Sequence, residues 1–116
     1  MANTSVIRLA GQTTALTVAI TQHAAVTIND TTNDQVNFAS FLNVGAYPCA
    51  IKWTPGSASS AQNAVFPLDG TLGDYVLPPL MEVPLVLAVP TTPFYLTAIA
   101  LGGTTSLYVT PAADQS

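Results

Sequence analysis

Leu16, Val18 and Ile20 alternate along the chain with Ala15, Thr17 and Ala19, a period of two that predicts a strand with one buried face. Val26 and Ile28 resume the alternation after a break at Thr21, Gln22, His23 and Ala24, and the two segments are expected to pair as a hairpin. The cluster Asn29-Asp30-Thr31-Thr32-Asn33-Asp34 then reads as a turn or loop. Between residues 36 and 44 both parities are apolar, Val36, Phe38, Leu42 and Val44 on one and Ala39 and Phe41 on the other. That pattern predicts burial on both faces or a bulge that shifts the phase. After Gly45, the residues Cys49, Ile51 and Trp53 share one face and Ala50, Lys52 and Thr54 the other. Pro55-Gly56-Ser57 opens a loop of small residues reaching about Asn63.

The second half continues in the same manner. Val65-Phe66 predicts an extended segment, and Asp69-Gly70-Thr71-Leu72-Gly73-Asp74 a turn before Tyr75-Val76-Leu77. Pro78-Pro79 cannot donate ladder hydrogen bonds, so this strand is not central in a sheet. Met81, Val83, Leu85, Leu87 and Val89 form the longest apolar stripe of one parity, with Glu82 opposite and Pro84 marking an edge or bulge. The segments 94–101 and 107–109, joined through Gly102-Gly103-Thr104-Thr105, are expected to close the chain as a hairpin. Eight or nine short strands and no helix predict an all-β antiparallel sandwich, a jelly roll or another Greek-key arrangement, with a closed barrel as the alternative. The 116 residues make one domain. Residues up to about 9 and residues 112–116 read as terminal arms.

Composition narrows the functional classes. Hydrophobic residues make up 49% and charged residues 7%, with a mean hydropathy of +0.44, whereas a soluble domain commonly carries about 25% charged residues. The polar complement is hydroxyl and amide, threonine alone occurring 16 times. A surface so poor in charge points to coverage by partners in an assembly. Two basic residues, Arg8 and Lys52, against six acidic ones exclude the neutralisation of several phosphates, so nucleic acid is not an expected partner. Neither is a membrane, because the most apolar stretch, residues 75–90, is broken by Glu82 and four prolines. Ala2-Asn3-Thr4-Ser5 has none of the features of a secretion leader, and synthesis in the cytoplasm is expected.

Candidate chemistry is sparse. The only histidine, His23, would have to serve any triad as its base, yet it sits in a turn with no nucleophile motif elsewhere. Cys49 shares a face with Ile51 and Trp53 and reads as a small core hydrophobe. Asp30, Asp34, Asp69 and Asp74 lie in turn sequences, where such side chains bond backbone. No zinc pattern, calcium loop or nucleotide fingerprint is present. An enzyme is therefore not expected, nor a catalytic residue, metal, cofactor or small-molecule substrate. Trp53 reads as core, whereas Tyr47, Tyr75 and Tyr95 are the aromatics that a glycan-binding or fibre-head sandwich would expose. The Pro-broken apolar segment is hard to bury in one small domain, so Tyr75, Leu77, Leu80 and Met81 are the expected partner interface.

The order Asn43-Val44-Gly45, Ala50-Ile51-Lys52-Trp53, Leu77-Pro78-Pro79, Thr97-Ala98-Ile99-Ala100 and Gly103-Thr104-Thr105-Ser106-Leu107-Tyr108-Val109-Thr110 resembles that of small structural proteins from tailed-phage particles. The likeness covers about two thirds of the chain. It departs from the pattern in lacking a glycine directly after Pro78-Pro79 and another after Thr110-Pro111. The resemblance implies a capsid decoration or cement protein on the outer surface of a virion, whose partners are the major capsid protein and its own copies in a homo-oligomer, expected to be a dimer or trimer.

Overall fold

The computed structural model describes residues 7–29, 38–55, 63–90 and 94–114, and in them the chain forms nine strands. These are β1 (Ile7–Leu9), β2 (Thr14–Val18), β3 (Val26–Ile28), β4 (Phe38–Asn43), β5 (Cys49–Pro55), β6 (Tyr75–Leu77), β7 (Leu85–Ala88), β8 (Phe94–Ala100) and β9 (Thr105–Asp114). Two antiparallel sheets result. In sheet A, β1 and β2 lie end to end along one edge of β9, which is followed by β4 and β7. Sheet B runs β3, β8, β5, β6. The pairs β2 with β9, β3 with β8, β4 with β7 and β5 with β6 are nested. The chain thus behaves as one long hairpin rolled into two layers, the jelly-roll arrangement.

Nested pairing overturns two expectations drawn from neighbouring segments. β2 and β3 do not make a hairpin, and neither do β8 and β9, because each pair is divided between the two sheets. Periodicity reports which face of a strand is buried; it does not report which strand lies beside it. The expected arms also change: Ile7–Leu9 and the last residues of β9 pair with each other in register, Leu9 opposite Ala112. Val65 and Phe66 are in no strand, and the apolar stripe from Met81 to Val89 is a strand only over Leu85–Ala88. The proline expectations agree with the structure, since β6 and β7 are both edge strands that stop or start beside Pro78 and Pro84. The loop cluster from Asp30 to Asp34 and the small-residue loop after Pro55 fall mostly outside the described residues.

The inward parity of each strand builds the core. Leu16, Val18, Phe41, Leu107 and Val109 from sheet A meet Ile28, Ile51, Leu77, Phe94 and Leu96 from sheet B. Phe41 stacks on Trp53 across the interlayer space, with ring centroids 6.0 Å apart. Burial of each such side chain stabilises the fold by about 1.5–3 kcal/mol. The double-parity segment resolves here: Ala39, Phe41 and Asn43 are buried, whereas Phe38, Ser40 and Leu42 are half-buried on the outer side.

The two exteriors differ. On sheet B, the segment between β5 and β6 is tied at one side to Gln22, whose amide donates to Ala64 O (2.8 Å) and accepts from Ala64 N (3.0 Å). At its other side Val65 and Asp74 bond each other, through Asp74 N to Val65 O and Val65 N to Asp74 Oδ2. On sheet A, cross-strand rows such as Ala15, Tyr108 and Leu42, or Thr110, Ser40 and Val86, carry hydroxyl and apolar groups and no ionised side chain.

Candidate functional site

Four connections converge at one end of the sandwich. Leu80 N donates to Gly45 O (2.9 Å) and Met81 N to Asn43 O (2.8 Å), which joins the β6–β7 link to the β4–β5 link. Leu101 N donates to Pro48 O (3.1 Å) and so brings in the β8–β9 link, while Ala100 N donates to Ala19 O (2.8 Å) at the start of the β2–β3 link. These links expose Ile20, Val44, Tyr47, Leu80, Val83 and Leu101. They account for six of the twelve large apolar side chains that stand exposed among the described residues. Glu82 is the one acidic residue that they contain. Apolar side chains exposed in this way make the end a candidate interaction surface.

Asn43 organises that end. Its side chain is fully buried; Nδ2 donates to Tyr47 O (2.9 Å) and Pro78 O (3.1 Å), and Oδ1 accepts from Thr105 Oγ1 (2.6 Å) and Gly45 N (3.3 Å). Two of the four links and the first residue of β9 are therefore fastened to one amide. Gly45 is needed beside it, because a Cβ there would lie 2.7 Å from Thr105 Cα. Gly103 likewise leaves room for the Tyr47 ring. Leu80 is the only non-glycine residue with a left-handed backbone, φ 56°, among the described residues, and its side chain is 67% exposed. Such a conformation costs a leucine about 1–2 kcal/mol, and strain of this sort collects at functional positions.

The four residues expected at an interface do not share one surface. Leu77 is 0% exposed and faces the core, which closes it to a partner, and Met81 is half-buried against the same core. Leu80 belongs to the apolar end, whereas Tyr75 lies at the sheet B edge. Sequence reasoning missed Asn43, whose signal was a lone amide at inward parity just before Gly45. The tyrosines expected for glycans are also dispersed. Tyr47 packs on Gly102 and Gly103, and Tyr95 is half-buried opposite Thr27 and Thr54.

Tyr75 instead borders a second feature. β6 pairs only with Cys49, Ala50 and Ile51, so β5 continues past it. An open cleft of about 220 Å³ forms there, lined by Ile51, Lys52, Trp53, Asp74 and Tyr75. Lys52 Nζ lies 3.8 Å from Asp74 Oδ1 across it. Trp53, expected in the core, does reach it through Phe41, yet is only partly buried and also lines this cleft.

The remaining titratable groups do not assemble. His23 Nδ1 lies 2.7 Å from Ala24 O, within its own connection. Asp69 is exposed at the tip of a turn closed by Thr71 N to Leu68 O (2.8 Å). Asp30 and Asp34 lie outside the described residues, and among those described no three His, Cys, Asp or Glu side chains gather as a metal would need. Cys49 is buried, and desolvation pushes its thiol up to about 11 from 9.0. Because the folded value is the higher, the contribution of Cys49 to stability is complete below pH 9 and is lost as pH rises toward 11. Unfolding free energy is thus expected to fall over that window in the native chain by more than in Cys49→Ala. Equal declines in the two proteins would contradict this origin. No protein-family model, curated protein or solved structure matches this chain.

Proposed function

We propose that this chain is a structural subunit of a larger assembly, of the capsid decoration or cement type that its order of segments resembles. The apolar end carries the proposal: six large apolar side chains from four connections are exposed at one end of the sandwich, and Asn43 fastens two of those connections to the start of β9. Copies of the chain meet through this end, where Glu82 is the only acidic group and like-charge repulsion between copies is small. The oligomer, a dimer or trimer, then bridges neighbouring major capsid subunits on the outer surface of a virion. Its mechanism is burial of apolar area at junctions, with many copies acting on one shell. No catalytic group is required.

A specific contact buries on the order of 800 Å² per partner, enough to be seen in solution. Sedimentation velocity over a hundredfold range of concentration should show reversible association, and shells stripped of the protein should recapture it. A chain that stays monomeric throughout and passes over stripped shells defeats the proposal.

A further inference from the structure

The edge cleft is a separate feature from the apolar end, and its chemistry points to a ligand. Two aromatic side chains, Trp53 and Tyr75, stand in it beside a carboxylate and an ammonium group. The carboxylate is held in place: Asp74 Oδ2 accepts from Val65 N at 2.7 Å, which leaves Oδ1 on the side of Lys52. Trp53 is braced by its stacking on Phe41. Tyr75 shares the inward parity of Ile51 and is nevertheless 53% exposed, because β6 is the edge strand and begins there.

A ligand for this arrangement must offer an apolar face to the aromatics and hydroxyl groups to the charged pair. Lys52 already faces Asp74, so the cleft has little net charge, and an anion would find its cation engaged. A carboxylate accepts from two neighbouring hydroxyls and an ammonium donates to a third, and such charge-assisted bonds are the stronger kind. Few, fixed polar groups against an apolar wall are how small-molecule sites set orientation. The volume, about 220 Å³, suits one six-membered sugar ring and is below the usual range for larger ligands. We infer that this cleft binds a neutral pyranose, stacked against Trp53 and Tyr75 with its vicinal hydroxyls on Asp74 and Lys52. This inference does not depend on the assembly role, since none of its residues belongs to the apolar end.

Trp53 is the only tryptophan in the chain, so its emission reports on the cleft directly. The intact protein is titrated separately with D-glucose, D-galactose, D-mannose and N-acetyl-D-glucosamine, and with sorbitol as an acyclic polyol. At least one ring sugar should give a saturable change with half-saturation at about 1–10 mM, as expected of so small a ligand, and sorbitol none. Tyr75→Ala and Asp74→Asn should each weaken it about tenfold. Amide spectra taken in parallel should place the largest sugar-induced shifts at Trp53 Nε1 and Val65 N, and they also show whether each variant is folded. The inference fails if no ring sugar saturates by about 100 mM, if sorbitol acts equally, or if both folded variants respond like the parent.

Discussion

Asn43→Ala is expected to lower the unfolding free energy by roughly 2–4 kcal/mol, because it strands one buried and two part-buried partners at once, and each unsatisfied buried group costs about 1–3 kcal/mol. The groups left behind are Tyr47 O, Pro78 O and the Thr105 hydroxyl. No buried side-chain nitrogen or oxygen lacks a partner among the described residues of the native chain, so the variant departs sharply from a satisfied interior. A loss of this size lowers Tm by about 10 °C or more in a domain of this length, which a thermal melt followed by circular dichroism measures. Thr105→Val removes one of the four bonds and should cost clearly less. If Asn43→Ala melts within about 2 °C of the parent, the amide is not the fastener described here.

Leu80→Asn is expected to act in the opposite sense on stability and on association. Asparagine tolerates the left-handed backbone that leucine resists, and the exposed leucine side chain gives the isolated fold little. Tm should stay level or rise slightly. Within an assembly, however, a leucine fully buried at a contact contributes about 1.5–3 kcal/mol, so its loss weakens association roughly ten- to hundredfold. Sedimentation of parent and variant at matched concentrations reads this directly. Unchanged association in a well-folded variant would place the contact elsewhere, and the rows of sheet A through Tyr108 and Ser40 are then the next surface to alter.

The class of fold was legible because buried apolar residues alternate with exposed ones wherever a strand has one wet face, as at Leu16 and Val18. Strand ends were legible too, through Pro78, Pro84 and Gly45. Partner choice was not. β8 is apolar on both faces, with Tyr95 and Ile99 half-buried outside and Phe94, Leu96 and Ala98 inside, so its pattern fits either neighbour and the local hairpin was the simpler reading. The candidate sites depend on exactly that missing information. Leu80 could be suspected from a Pro-broken apolar run, but its place at the same end as Val44 and Leu101 requires the nested pairing. The cleft is less legible still, because it exists only where a three-residue β6 fails to cover a seven-residue β5, and strand length at an edge leaves no periodic trace.

The end-to-end placement of β1 and β2 along β9 has a practical outcome. β9 starts beside the apolar loops and runs away from them, so Ile7 and Asp114 sit as registered neighbours at the far end of the molecule. A peptide or fluorescent protein joined directly at residue 7 or at residue 114 is therefore attached on the side remote from the loops. Tethers on both ends should share one exit point, and tension between them would unzip β1 from β9 one rung at a time.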